Sequence, residues 1–406
     1  MAISQTREHT EPATMGPEEY QQFRDDLFAA MWKELDPLEE QIEDDEELPL
    51  DTLMPILRQM SAFGLTIPAE YGGVGLTVPQ YLPIIAEFAK LQGGIRVLVH
   101  VHNNMSHALW ELGSEEQRRN LLPAVAQGEK SIAFGLTEPD HGTGAGMGTT
   151  AQREGDEYVI NGRKWLITNS NIASHFMIFG RTIVDGDDRG ISAFMVERDA
   201  HGFEREPLPE TMGCKGGEHG LLTLTDVRVP ADAVLGNVGD GLSQMEQHLE
   251  ISRLFIAATS LGTSERAFEL SIEQSKNRVT FGKPIAERQA IQRYLAEMAV
   301  DIYALRSMIA DAGEKWNQGR RIPAEASMCK LFGLEAVGRV TDLALLVHGG
   351  IGYTRLSKIE RLYRDARLNW LEEGTPSIQQ MVIARQFLDG YRPEASPAAE
   401  TVAARA

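Results

Sequence analysis

Residues 157–169 read EYVINGRKWLITN, two apolar runs with Asn161-Gly162 between them. Tyr, Val, Ile, Trp and Thr favour a pleated chain. Asn-Gly is the strongest short hairpin signal, because both residues tolerate the backbone a tight turn needs. The reading is two strands joined at Asn161-Gly162. The same texture continues downstream. HFMIFGRTI (175–183), GISAFMVE (190–197) and LLTLTDVRVP (221–230) are short, β-rich and separated by Gly, Asp or Pro. They predict a compact β domain spanning residues 131–241.

On either side the period changes from two to between three and four. EEYQQFRDDLFAAMWKEL (18–35), TLMPILRQMSAFGL (52–65) and QYLPIIAEFAKL (80–91) predict an N-terminal α-helical domain over 16–130. EISRLFIAATSLGTSERAFELSIEQSKNR (250–278), AIQRYLAEMAVDIYALRSMIADAGEKW (290–316) and AEASMCKLFGLEAVGRVTDLALLV (324–347) are long amphipathic patterns. They predict a helix bundle over 242–392, with Ala257, Ala258, Ser260 and Gly262 allowing close helix contacts. Residues 1–15 and 393–406 read as a disordered N-terminus and a flexible tail.

Length, 406 residues, is enough for two or three domains. Hydrophobic residues at 42% and charged residues at 24% are ordinary for a globular protein. The formal charge of −20 argues against a nucleic-acid or anionic-membrane binder. Residues 1–50 hold fifteen Asp/Glu against three Lys/Arg, and EEQIEDDEELPLD (39–51) reads as a solvated helix end or linker. No apolar run approaches a membrane span, and MAISQTREHTEP is not a signal peptide. Cys214 and Cys329 form no metal or redox motif. A cytoplasmic, reducing setting is the expectation.

Chemistry concentrates in five segments. FGLTEPDHGTGAG (134–146) sets Thr137 and Thr143 among glycines, offering hydroxyls and N–H groups to an anion or a flavin edge. KWLITNS (164–170) places Trp165 and Thr168 at a strand end. NRVTFGKPIAERQ (277–289) combines Arg278, Phe281 and Gln289, and HGGIGYTR (348–355) adds Gly349 and Gly350. Arginine suits a pyrophosphate, and glycine lets backbone approach it. RDARLNWLEEGTPSIQQ (364–380) sets Glu372 and Glu373 after an apolar pair and before a Gly-Thr-Pro turn.

Taken in this order, the segments resemble the acyl-CoA dehydrogenase family of flavoproteins over about residues 17–392. The resemblance implies an N-terminal helical domain, a central β-barrel and a C-terminal four-helix bundle, assembled as a homotetramer, a dimer of dimers. It implies FAD, an acyl-CoA substrate and an electron-transfer flavoprotein as partner. Glu373 falls at the place of the family's base, which takes the α-proton while the β-hydrogen leaves as hydride, giving a trans-2-enoyl thioester. A base on the bundle's first helix, used by some relatives, is absent: Ser252 precedes Arg253 there. Arg253 matches an arginine near the thioester arm of CoA.

For FAD, the resemblance puts Thr137, Thr168 and Trp165 at the isoalloxazine, Thr143 at the pyrophosphate, and Thr375 near the cofactor. Arg278, Phe281, Gln289, Gly349 and Gly350 match residues reaching a neighbouring subunit's FAD. Gly144 and Leu346 depart from the family's usual Asp and Gln. Glu372 stands where many fatty-acyl members have tyrosine. It has three open readings: raising the pKa of the base, binding a polar acyl group, or facing water. Rival functions are an oxygen-using flavoenzyme, a dehydrogenase of carrier-protein thioesters, and a non-catalytic partner subunit. HVHNNMSH (100–107) places His100 and His107 on one helix face, but similar helices serve as cavity wall in the family, so no metal is expected.

Overall fold

The computed structural model describes residues 15–144 and 146–391; the expected disordered N-terminus and the tail fall outside them, save Met15. Helices α1 (Pro17–Glu34), α2 (Glu39–Asp45), α3 (Leu50–Gln59), α4 (Val78–Phe88), α5 (Gly93–Leu112) and α6 (Glu115–Ala126) come first. Their starts are legible. Ser114 and Gln117 form a reciprocal capping box at α6, while Gln92 Oε1 accepts from the N–H groups of Gly94 and Ile95 at α5. Most of α5 is buried, its His and Asn side chains included.

Strands follow: β1 (Ile132–Gly135), β2 (Thr150–Glu154), β3 (Glu157–Thr168), β4 (His175–Val184), β5 (Asp187–Glu197), β6 (Phe203–Pro207), β7 (His219–Pro230) and β8 (Val234–Leu235). They form one sheet in the order β6-β7-β3-β2-β4-β5-β8, with β1 parallel to β4. Among the described residues this sheet does not close on itself, so the expected barrel is an open sheet.

The expected hairpin at Asn161-Gly162 is not there. β3 runs straight through both residues and pairs with β7, with a bulge between Ile160 and Gly162. The signal misled because each residue has another use. The Asn161 amide exchanges hydrogen bonds with Asp226 across the strands, at 3.0 and 2.8 Å. A Cβ at Gly162 would meet Thr149 Oγ1 at 2.3 Å, so glycine serves a close approach. The hairpin lies one turn earlier, between Glu154 and Glu157. A second irregularity between Lys164 and Ile167 gives Leu166 a left-handed φ of 56° and exposes its side chain.

The helices then resume: α7 (Gly241–Asn277), a short β9 (Val279–Thr280) and β10 (Lys283–Pro284) hairpin, α8 (Gln289–Asn317), α9 (Pro323–His348), α10 (Lys358–Ala366) and α11 (Pro376–Leu388). Helices α7, α8, α9 and α11 pack as the bundle, and α4 lies against α7 and α8. Gly262 permits this last approach, since a Cβ there would fall 1.7 Å from the Ala86 carbonyl oxygen. One apolar core joins Leu57, Tyr81, Phe88 and Leu98 to Phe255, Leu305 and Trp316.

The acidic run is also used differently from the expectation. Glu39, 1% exposed, pairs with Lys358 at 2.6 Å and Arg361 at 3.0 Å, and Glu43 pairs with Arg364 at 2.7 Å. The carboxylates on one face of α2 therefore tie it to α10. Only a fold that brings residues more than 300 positions apart together creates this partner set.

Candidate active site

A cavity of about 990 Å³ opens between α5, the loop after β1, the start of α7 and the segment 371–375. It brings together Thr137, Thr143, Thr168, Arg253, Glu372, Glu373 and Thr375. Trp165 is half-buried beside it and is not among the lining residues; its backbone N–H donates to the Thr137 carbonyl oxygen at 3.0 Å. Arg278, Phe281, Gln289, Gly349 and Gly350 do not line this cavity. All five are exposed, and Phe281, 98% exposed at the β9–β10 turn, meets only the Arg288 guanidinium, 5.8 Å from its ring centroid, among the described residues.

The loop carrying the two acids has a specific construction. A one-turn 3-10 segment, Leu368–Trp370, ends it on one side, and Pro376 starts α11 on the other. Between them Glu373 takes φ 53° and Gly374 φ 92°. A non-glycine residue holds such a conformation only when its surroundings fix it. Here Lys330, wholly buried on α9, donates to the carbonyl oxygens of Glu372 and Gly374. Gln379 Nε2 donates to the carbonyl oxygens of Glu373 and Gly374, each at 3.0 Å. Burial pulls the Lys330 ammonium down to about 8 against the pull of Glu373 and Glu372.

The adjacent carboxylates face different partners. Glu372 Oε1 accepts from Arg96 at 2.9 Å, and Arg96 also reaches Asn369 Oδ1 at 3.0 Å. Burial works against it, yet Arg96 beside Glu372 holds that carboxyl below the usual range. Of the three readings of Glu372, the one in which it simply faces water does not hold. Its side chain is 17% exposed and ion-paired. Glu373 has instead the Asn104 amide at 3.5 Å, with the Ser252 hydroxyl close enough to lower its carboxyl. Asn104 and Ser252 are themselves joined at 2.8 Å, bridging α5 to α7. Burial raises the Glu373 carboxyl, Ser252 and Lys330 counter it, and Glu372 adds to the rise.

Polar groups continue around the wall. His100 is buried and pulled down to about 4 by burial, so it is neutral near pH 7. Arg253 is 5% exposed, not the surface residue a helical arginine usually is, and its Nε has no hydrogen-bond partner among the described residues. Glu250 holds Arg321 and the Ile322 N–H at the rim.

On the opposite wall, the loop 136–149 is pinned from below. Lys164 Nζ donates to Glu138 Oε1 at 2.9 Å and to the Leu136 carbonyl oxygen, while Glu138 accepts from the N–H groups of Gly148 and Thr149. Despite burial, these bonds hold the Glu138 carboxyl at about 2. The hydroxyls of Thr137 and Thr168 face the cavity with no bond to the described chain, and a Cβ at Gly142 or Gly144 would meet nothing within 4 Å. Free hydroxyls and open backbone on a firmly anchored loop fit a flavin edge and its phosphates.

Arg96, Asn104, Lys330 and Gln379 escaped the sequence reading. Lys330 had a signal, a lone ammonium in the apolar run MCKLFGL (328–334). Arg96 had only its place on a helix whose burial the sequence does not announce, while Asn104 stood in HVHNNMSH, a segment the resemblance set in the cavity wall without marking Asn104 as a partner of Glu373.

The chain matches the family models for the acyl-CoA dehydrogenase N-terminal domain at 17–129, middle domain at 133–227 and C-terminal domain at 239–388. It is 35% identical over 360 residues to an acyl-CoA dehydrogenase of Bacillus subtilis, covering 88% of this chain and 95% of the relative. It is 34% identical over 358 residues to a 3-(aryl)acrylate reductase of Clostridium sporogenes, covering 88% and 95%. Among solved structures it resembles an acyl-CoA dehydrogenase from Bacillus anthracis complexed with FAD, with TM-score 0.84 and 30% identity, over 96% of this chain and 70% of that one. With matches to three successive domains and a cavity whose free hydroxyls suit a flavin, the chain belongs to the acyl-CoA dehydrogenase family, FAD-dependent oxidoreductases acting on CH–CH bonds.

Proposed function

We propose that Glu373 is the base that takes the α-proton of an acyl-CoA in this flavin-dependent dehydrogenase, and that Glu372 is not. The observation that carries this is the division of labour between the two acids. Glu372 is committed to Arg96, whereas Glu373 lies on the cavity wall with the neutral Asn104 amide at 3.5 Å, the Ser252 hydroxyl beside it, and no ion pair among the described residues. A partly desolvated carboxylate is a stronger base toward a weakly acidic C–H. Bound FAD supplies the acceptor for the β-hydrogen and its electron pair. The chain's part is to hold the carboxylate in place through Lys330 and Gln379, to aim it through Asn104 and Ser252, and to carry the thioester arm past Arg253.

Thr137, Thr143, Thr168 and Thr375 are the residues we read as holding this chain's flavin, with Trp165 beside it. Arg278, Phe281, Gln289, Gly349 and Gly350 are read as serving the FAD of a neighbouring copy in a homotetramer. Their exposure supports this, as does the exposed apolar surface of Val300, Tyr303, Tyr353 and Leu356 on the same unit. Arg278→Ala then weakens FAD binding and subunit association together, because charge-assisted contacts are lost. A wild-type protein that stays a flavin-free monomer with FAD added would sink that part of the reading.

For the acyl group, we favour a short, cyclic or polar one. His100, Asn104 and the Arg96–Glu372 pair make part of the wall polar, which suits such groups better than a long alkyl tail. The resemblance to a reductase named for an aryl acrylate points the same way. We read electron-transfer flavoprotein as the electron acceptor, the cytoplasm as the location, and domain boundaries near residues 130 and 241, where helix gives way to strand and back. Among the described residues no helix is long and apolar enough to cross a membrane.

Anaerobic titration with a panel of acyl-CoAs, followed by flavin absorbance, tests cofactor, reaction and substrate at once. Bleaching by at least one member is expected from the wild type and not from Glu373→Gln. Equal bleaching by both would remove Glu373 from the role.

A further inference from the structure

We propose a divalent transition-metal site, suited to Zn²⁺, formed by His107, Glu111 and His248, which clamps α5 to α7 one helical turn from the Asn104–Ser252 bridge. His107 and Glu111 are four residues apart on α5 and so share a face, and His248 meets them from α7. One ligand atom from each lies within 4.8 Å of the other two.

Glu111 already meets both histidines, His248 through a hydrogen bond, and both contacts are long. Glu111 Oε2 is 3.5 Å from His107 Nδ1 and 3.4 Å from His248 Nδ1. A charge-assisted N–H to carboxylate bond contracts to about 2.7–2.9 Å. Ligands bound at about 2.0–2.1 Å at the corners of a tetrahedron stand roughly 3.3 Å apart. Both Glu111–histidine separations match that spacing, and the two imidazoles offer ligand atoms within 4.8 Å of each other.

Their surroundings support the assignment. Both histidines are buried, and Trp110 packs edge-on against His107 with ring centroids 5.2 Å apart, which helps fix that ring. His248 Nε2 has no hydrogen-bond partner among the described residues, so no bond on that side dictates which tautomer the ring adopts. Glu111 is partly exposed, giving an ion a way in and leaving room for water as a fourth ligand. Two imidazoles and one carboxylate are a donor set that Zn²⁺ accepts readily.

The site is not catalytic, since none of the three residues lines the cavity. Its place is structural. Asn104 lies three residues before His107, and Ser252 four after His248, so an ion would fix the two helices that carry the partners of Glu373.

The test is isothermal titration of the metal-stripped flavoprotein with Zn²⁺, paired with its thermal midpoint. One saturable Zn²⁺ per chain and a raised midpoint are expected. Glu111→Gln and His248→Gln should each weaken binding by about tenfold or more, and replacing the exposed His201 by Gln should leave it unchanged. Anomalous scattering at the zinc edge from wild-type crystals locates the ion without any variant and is expected to peak between the three side chains. Absence of saturable binding to the wild type, equal affinity in all three variants, or a peak elsewhere overturns the assignment.

Discussion

Arg96 Nη1 donates to Glu372 Oε1 at 2.9 Å, although the two residues stand 276 positions apart. That contact neutralises the acid next to the base, while Glu373 makes no direct ion pair among the described residues. It also makes the pair a unit. Neither member can be replaced by an apolar residue without leaving the other alone in a site that disfavours a lone charge.

Arg96→Met is accordingly expected to lower stability by about 3–5 kcal/mol, the cost of leaving a buried charge without its partner. Arg96→Met combined with Glu372→Leu should recover a large part of the loss. Urea unfolding of the two single variants and the double variant measures the coupling. Additive single effects would mean that the pair contributes nothing.

The same coupling dictates how acyl specificity should be tested. Glu372→Tyr alone strands Arg96, so the informative variant is Arg96→Leu with Glu372→Tyr. Its preference, as kcat/KM on butyryl-, octanoyl- and cyclic acyl-CoAs, should shift toward straight chains by roughly tenfold or more relative to wild type. An unchanged ranking would show that this wall does not choose the acyl group.

Glu373→Gln preserves shape and removes the base. Flavin reduction should slow by about 10²–10⁴-fold or more with acyl-CoA binding retained, while Glu372→Gln keeps substantial activity. Stopped-flow reduction and equilibrium binding separate the two effects. The reverse pattern would assign the base to Glu372.

The pH dependence follows from the same carboxyl. Burial raises Glu373 above the usual 4.5, and only its ionised form accepts a proton. kcat/KM should therefore fall as pH drops through the Glu373 pKa, about tenfold per unit below it, with a midpoint above that of an ordinary glutamate. Glu372 contributes to the rise, so Glu372→Gln should move the acidic limb to lower pH. A limb that stays in place would show that Glu372 exerts no field on the base.

Local chemistry determined the helix–strand–helix order, the Gly-Thr-Pro turn after Glu373, and the segments carrying Thr137 and Thr168, whereas Arg253 entered only through the family resemblance. Each of the local features follows from side-chain period, backbone freedom or motif within a dozen residues. What reached beyond that window went astray or stayed hidden. Asn161-Gly162 has the composition of a turn, but cross-strand bonds to Asp226 and the press of Thr149 make it a bulge. Glu39 reads as a solvated acid until α10 delivers Lys358 and Arg361 to it. The division between Glu372 and Glu373 was decided by tertiary structure alone. Sequence makes them adjacent and alike; only packing sets Arg96 beside one and Asn104 with Ser252 beside the other. A carboxylate's basicity depends on what surrounds it, and those surroundings come from three helices and a loop far apart along the chain.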